Sequence, residues 1–531
     1  MSMIFVNLLI FALITFLIYY IVPSKFQWVV LLTASFIFYA ILDIKALIYV
    51  IYSICSIYFC GIMISFLHNA QAELFENKDK SWLLKRKKEY INKFNFYKKI
   101  ILNIGLLSNF GILAALKYFN FFTGLFNSFF SRIFDISIPG VNWLLPIGIS
   151  FYTFQAIGYL IDVYRNKYQA EKNIAKLALF ISFFPQIMQG PIGRYDHLGH
   201  QLFSPHKFSY KMFTNGIKLM GWGFFKKLLI ADILSPYIGR ILNDDSAIGI
   251  TVITGIVMYM LQIYADFSGG IDVSRGMAEC MGIKLDENFR RPHFAVSISD
   301  YWRRWHITLG AWMKDYLLYS ITFSKGFSKL QKFSRKKLGN YLGKLLPTCI
   351  AMFFVFIVVG IWHGAAIKFL FFGFYNGSLI ALGILTKPFI EKILNKLPGN
   401  LTKSNFIKVL AIIKTLILVA IGKCYSIANG FLHGCRLIKR TLNGLLSYSN
   451  WKSLTDNLNK YRFSKEKIIQ LIIPLVTFLI ISILQENGIN IRESFAKKPL
   501  VLRWAVYYLA VTYILVFSEL ANIGVFLYAL F

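Results

Sequence analysis

The sequence predicts an all-α, polytopic membrane protein with roughly ten to twelve membrane helices, some of them interrupted or re-entrant. Two observations carry this. Of 531 residues, 56% are hydrophobic and only 16% charged, too apolar a balance for a chain whose surface faces water throughout. The apolar residues also gather into long runs sparse in charge. A helix rises about 1.5 Å per residue, so roughly 20 such residues cross a hydrocarbon core about 30 Å thick.

Three apolar segments open the chain, near residues 3–22, 27–42 and 46–67. The first lacks a charged leader and a small-residue cleavage site, so it reads as a retained helix and not a cleavable signal. Between Gln71 and Ile100 nine basic residues face four acidic ones, centred on Lys85, Arg86, Lys87 and Lys88. Between Lys325 and Lys344 there are seven basic residues and no acidic one. The positive-inside rule places both stretches, read as loops, in the cytoplasm. Three crossings before the first of them then put the N-terminus outside. Because the formal charge of +33 is spread between apolar runs and not gathered on one face, it indicates cytoplasmic loops and no nucleic-acid partner.

After an aromatic-rich apolar stretch to about residue 135, the chain changes character. Pro146, Gly148, Pro185, Gly190, Pro191 and Gly193 interrupt the runs. Broken backbone at membrane depth is tolerated only inside protein or beside a water-filled cavity, so the middle of the chain is where a site is expected. Further runs follow at Ile250–Tyr264, Cys349–Trp362, Ile407–Ile421 and Ile468–Leu484, with a variable basic region over 386–467 around the third. No repeat, P-loop, dinucleotide-binding glycine motif or HExxH is present. The six cysteines lie mostly in or beside apolar runs and form no CxxC pair, so buried free thiols are expected and no metal site.

Unusual chemistry is densest from Tyr264 to Tyr316. It comprises Tyr264-Ala-Asp266-Phe-Ser268-Gly-Gly-Ile-Asp272, Glu287-Asn288-Phe289-Arg290-Arg291-Pro292, Asp300-Tyr301-Trp302-Arg303-Arg304-Trp305-His306 and Lys314-Asp315-Tyr316. Charged groups near membrane depth are costly and face a cavity or a partner. Arg303 and Arg304 have two readings, substrate contact or pairing with Asp300 near the headgroups. Of the eight histidines, two stand apart. If the stretch before it is helical, His306 lies one turn after Trp302 on the same face. His363 closes the apolar run Ala351–Trp362 and precedes Gly364-Ala-Ala, with Gly373 and Gly377 beyond, small residues that allow close backbone approach. A desolvated imidazole stays neutral and can accept a proton, as a general base for a hydroxyl must.

On these residues the chain resembles the membrane-bound O-acyltransferase family. The branch is that of bacterial polysaccharide O-acetyltransferases and teichoic acid D-alanyltransferases. The resemblance runs over about 146–377. It is carried by Pro146-Ile-Gly-Ile-Ser-Phe-Tyr-Thr-Phe-Gln155, Tyr159-Leu-Ile-Asp-Val-Tyr-Arg165, Phe184-Pro-Gln-Ile-Met-Gln-Gly-Pro191, Asp266-Phe-Ser-Gly-Gly, Glu287-Asn-Phe, Tyr301-Trp-Arg-Arg-Trp-His306 and Trp362-His-Gly364, in that order. It implies one integral membrane domain over 1–531, with an acyltransferase core at 146–377 and helices in a ring around a central funnel. It also implies His363 as the signature catalytic histidine and His306 as its polar companion. Asp266, Ser268, Asn288, Trp302, Arg303, Arg304, Trp305, Asp315 and Trp362 are expected to contact substrate. No cofactor is expected to stay bound. The resemblance further implies that acyl-CoA, most simply acetyl-CoA, or an acyl carrier protein is the donor, and that the acyl group passes to hydroxyls of an exported cell-surface polysaccharide, directly or through an extracytoplasmic acyltransferase partner. D-alanyl transfer to teichoic acid is the alternative within the family. Gly422-Lys-Cys-Tyr departs from the family's tryptophan and arginine pattern.

Two rivals come from other classes: a transporter of polysaccharide or lipid-linked sugar, and a scaffold in which His363 is only a core residue. The lysine-rich and isoleucine-rich composition suits a bacterial inner membrane, with lipid as the surrounding partner.

Overall fold

The computed structural model describes residues 2–76, 84–134, 137–141, 143, 145–394, 396, 404–443, 445 and 458–518. Expectations for the basic stretch at 77–83, for 397–403 and 446–457 in the variable region, and for the chain beyond 518 fall outside the described residues. The protein is 83% helical, with no strand among the described residues. Eight of its described helices are long and apolar enough to span a membrane, and two shorter apolar helices, Asn7–Ile21 and Ile174–Ile187, accompany them. This agrees with the all-α polytopic expectation, in which some helices are short or interrupted; the stretch Ser24–Glu76 holds both the second and the third apolar segment. All six cysteines are free thiols, four of them buried.

The chain forms two compact units. One is built chiefly from Val6–Gly216 and Ser274–Asp286. Its helices are α1 (Ser2–Ile21), α2 (Gln27–Asp43), α3 (Leu47–Glu76), α4 (Leu84–Phe134), α5 (Ile149–Tyr164), α6 (Ile174–Ser182), α7 (Phe184–Gln189) and α8 (Tyr195–Phe203). Much of the basic stretch before Ile100 is therefore the start of α4, because lysine and arginine are good helix formers and extend a span beyond the bilayer. Gly148 opens α5 at φ 76°, where a Cβ would stand 2.8 Å from the Ile187 carbonyl oxygen, so only glycine fits. Between α6 and α7, Pro185 breaks the helix and frees carbonyls that side chains must satisfy. Gln155 Nε2 donates to Phe180 O, Gln186 Nε2 to Pro191 O (2.8 Å) and Ser274 Oγ to Pro185 O. The glutamine and proline motifs of the sequence thus meet each other as the seal of a broken helix.

The other unit holds Ile217–Val273 and the chain from Glu287 onward. Here α9 (Tyr210–Lys226) passes through a π-helical turn at Lys227–Ala231 into α10 (Asp232–Leu242), followed by the long α11 (Ile250–Cys280). Lys226 and Lys227 are both buried, which is tolerable only because each is paired. Lys227 Nζ lies 2.6 Å from Asp266 and 2.9 Å from Asp232, while Lys226 Nζ reaches Asp272 at 2.8 Å and donates to Ser268 Oγ at 2.9 Å.

Beyond α11 come three short helices, α12 (Ile298–Arg304), α13 (Ile307–Trp312) and α14 (Tyr319–Thr322), with a second π-helical turn at Met313–Leu318. Then α15 (Lys325–His363) and α16 (Ile367–Leu394) form a tight antiparallel hairpin. The basic stretch 325–344 is not a loop but the first half of α15, capped by Ser324 Oγ accepting from Phe327 N and interrupted at Gly339. Gly360 and Gly373 face each other's backbone so closely that a Cβ on either would overlap the Phe369 or Phe356 carbonyl oxygen. That close approach fixes where α15 ends, and its last residue is His363.

Candidate functional site

Two short chain segments, each too irregular to be helix, pair to build the first wall. Arg290 N donates to Arg304 O and Ile307 N to Asn288 O, both at 2.9 Å, and Phe289 and Trp305 form an isolated antiparallel bridge between them. The helix α12 therefore stops at Arg304, and His306 takes the left-handed conformation at φ 50°, rare for a residue with a Cβ. The conditional sequence reading of His306 on the same helical face as Trp302 is corrected: the ladder with 288–290 turns the chain before His306 is reached.

His306 is 2% exposed and Asn288 fully buried. Asn288 Oδ1 lies 3.1 Å from His306 Nδ1 and accepts from Thr308 N (3.1 Å) and Thr308 Oγ1 (2.9 Å). Phe267 of α11 meets the His306 ring edge-on, with centroids 5.0 Å apart. His306 lies between the spans Ile250–Cys280 and Lys325–His363, and burial pushes its pKa down to about 3, so the imidazole is neutral at physiological pH.

The second wall is the tip of the α15–α16 hairpin. Trp362 is buried, its ring centroid 6.0 Å from that of His306 and 4.9 Å from that of His363. The partly buried His363 also faces Phe372 at 5.5 Å and Phe369 at 6.3 Å. The two histidines singled out in the sequence are thus both neighbours of one indole.

A cavity of about 470 Å³ adjoins this arrangement. Trp302, Arg303, Trp305 and His306 line it from one side, and Val355, Phe356 and Val359 of α15 from another, with Lys314 also in the lining. The apolar walls with two cations and one imidazole suit an amphiphilic ligand. His363, Trp362, Arg304 and Asp315 are not among the lining residues.

The remaining sequence-selected residues have identifiable structural partners. Arg304 Nε donates to Asp300 at 3.0 Å and its Nη1 to both Glu486 oxygens at 2.9 and 3.0 Å, while Arg291 Nε adds a bond to Glu486 at 2.8 Å. Of the two readings for the arginines, pairing describes Arg304. Arg303 is 3.6 Å from Asp300 but has 73% of its side chain exposed, so it remains available to a ligand. Trp302 Nε1 donates to Asn376 Oδ1 at 3.1 Å, and Trp305 stacks on Tyr301 at 5.7 Å. Asp266 and Ser268 hold the two buried lysines, and Asp315 sits half-buried in the π-helical turn after α13.

Sequence reasoning missed Glu486, Asn376 and Lys423. Lys423 is buried with its Nζ 4.5 Å from the Trp305 ring centroid, so the segment that departs from the family pattern reaches the tryptophan-arginine motif. The signal was present, since Glu486 and Lys423 are isolated charges closing apolar runs. Among the described residues no group of three or more histidine, cysteine or acidic side chains is placed to hold a metal ion.

Comparison with known proteins supplies a context for this geometry. The sequence profile of the membrane-bound O-acyltransferase family matches residues 165–335. "Probable alginate O-acetylase" of Pseudomonas putida is 30% identical over 71% of this chain and 70% of its own length. The protein of the same name from Pseudomonas syringae pv. tomato is 30% identical over 70% of this chain and 64% of its own length. Peptidoglycan O-acetyltransferase of Helicobacter pylori is 30% identical over 67% of this chain and 63% of its length. The match thus spans somewhat under two thirds of the length of two of these three relatives.

Proposed function

Because the chain belongs to the membrane-bound O-acyltransferase family, we propose that it transfers an acyl group, most simply acetyl, from a cytoplasmic thioester to hydroxyls of an exported cell-surface polysaccharide. The observation that carries this reading is the pair of imidazoles, His306 and His363, both within 6.0 Å of the Trp362 ring, with His306 lining an apolar cavity edged by Arg303 and Lys314. The names of the relatives, which speak of alginate and peptidoglycan O-acetylation, supply the acceptor class.

In this mechanism the acceptor hydroxyl oxygen attacks the thioester carbonyl carbon while His363 takes the hydroxyl proton. The tetrahedral intermediate collapses by breaking the C–S bond, and the proton passes from His363 to the departing thiolate. Ester and free thiol are the products, and no other reactant is required. Arg303 and Lys314 attract the phosphates of a nucleotide-bearing donor or the acidic face of a carrier protein. Asp266 and Ser268 act at one remove, by fixing α11 through Lys227 and Lys226. The donor side faces the cytoplasm of a bacterial inner membrane, and an extracytoplasmic acyltransferase completes delivery to the polymer.

The test is the acyl content of surface polymers, with acyl mass resolved by mass spectrometry, in cells carrying the wild type, His363→Ala or no copy at matched expression. Loss of an acetyl ester in both altered strains supports the proposal. Loss of a D-alanyl ester replaces the acetyl donor by a carrier-bound amino acid, and full retention in His363→Ala overturns catalysis at that residue.

A further inference from the structure

The hydrogen bonds around Asn288 decide which nitrogen of His306 carries the proton. An amide side chain can be turned either way, but here one neighbour fixes it. The backbone N–H of Thr308, 3.1 Å away, can only donate, so the Asn288 atom that meets it must be the carbonyl oxygen. That same oxygen is 3.1 Å from His306 Nδ1. A carbonyl oxygen has no hydrogen to give, so Nδ1 must be the donor.

We infer that Asn288 is a positioning residue that holds His306, whose ring lines the cavity, as the Nδ1–H tautomer, so that Nε2 can only accept a hydrogen bond from a group that reaches it. The pairing of Phe289 with Trp305, and of Ile307 N with Asn288 O at 2.9 Å, keeps the two side chains in register, and the left-handed backbone at His306 is the strain this arrangement requires. Burial at 2% exposure disfavours a second ring proton.

The consequence concerns the substrate. A neutral imidazole with its hydrogen on Nδ1 has only a lone pair at Nε2 and cannot donate to a developing oxyanion. The group it meets at the reacting centre must carry a hydrogen. Of the two partners in acyl transfer, the thioester carbonyl has none there and the acceptor hydroxyl has one. His306 therefore orients the hydroxyl as it docks, before the hydroxyl hydrogen turns to His363 for transfer, and does not stabilise the oxyanion; Asn288 acts through His306 instead of touching substrate. The assignment to the hydroxyl rests on the acyl-transfer reading above, whereas the tautomer does not.

The two can be tested apart on the full chain in lipid bilayers. ¹⁵N NMR of histidine-labelled protein, with His306 identified by subtraction of the His306→Gln spectrum, reads the protonation of each ring nitrogen directly. A protonated Nδ1 with an unprotonated Nε2 is expected, and the reverse overturns the inference whatever the enzyme does. In Asn288→Ala the two tautomers should mix and kcat should fall by roughly 10²-fold with little change in donor KM. Asn288→Asp, which keeps an accepting oxygen, should restore the Nδ1–H signature and most of kcat. An unchanged His306 spectrum in Asn288→Ala overturns the positioning role. A wild-type protein with the expected tautomer but no acyl transfer would remove the functional reading and leave the tautomer standing.

Discussion

Arg304 joins Glu486 across 182 residues of sequence, its Nη1 lying 2.9 and 3.0 Å from the two carboxylate oxygens. The contact ties the end of α12, two residues before His306, to the last residue of the helix Lys465–Glu486. Arg291 shares the same carboxylate at 2.8 Å, and Asp300 holds the other side of Arg304 at 3.0 Å. One acidic group late in the chain thus braces both of the paired segments that carry Asn288 and His306.

Glu486→Ala should leave two guanidinium groups short of a partner and lower stability by about 1.5–3 kcal/mol. Thermal unfolding in detergent should report this as a lower Tm. Glu486→Gln, which keeps an accepting oxygen, should lose less.

Lys227→Met should cost more, about 3–5 kcal/mol, because it leaves Asp266 and Asp232 buried without the cation that lies between them. Adding Asp266→Asn to Lys227→Met should recover part of the loss. The comparison is a double-mutant cycle on Tm or denaturant midpoint, and strictly additive effects would exclude the pairing as the cause.

Stability should also fall with acid in a way His306 sets. Its folded pKa, about 3, lies below the ordinary 6.5, so the unfolded chain binds the extra proton first. The contribution is complete above pH 6.5 and is lost as pH drops from there towards 3. It amounts to about 5 kcal/mol at most, and His306→Gln should flatten the Tm profile over that window. A parallel profile for the two proteins would place the His306 pKa near its ordinary value.

Gly360→Leu should separate α15 from α16, since even a Cβ at that position overlaps the Phe369 carbonyl oxygen. His363 sits at the end of the displaced helix, so acyl transfer should fall at least about tenfold even where the protein still folds. Activity and near-ultraviolet circular dichroism measured on the same sample separate the two effects. Gly383→Leu is the control, as a Cβ there meets nothing within 4 Å.

Much of this protein was legible in its sequence. Hydropathy alone predicts helical spans, because a backbone in lipid must satisfy its own hydrogen bonds. The ordered motifs also singled out His306, His363, Asn288 and Trp362, of which Asn288 meets His306 and Trp362 neighbours both histidines in the candidate site. What periodicity could not supply was the end of α12. A run reading Tyr-Trp-Arg-Arg-Trp-His is helical by propensity, and only the backbone pairing with 288–290 stops it at Arg304.

The sequence by itself therefore determined the solvent, the secondary structure and the residue types of the site, all of which depend on local composition and spacing. The tertiary structure alone decided which charges are structural and how the imidazoles are presented. Lys227 finds Asp266 39 residues on, Arg304 finds Glu486 182 on and His306 finds Asn288 18 back. The cost of burying a charge or a ring nitrogen depends on what lies within about 3 Å, and those neighbours come from distant parts of the chain.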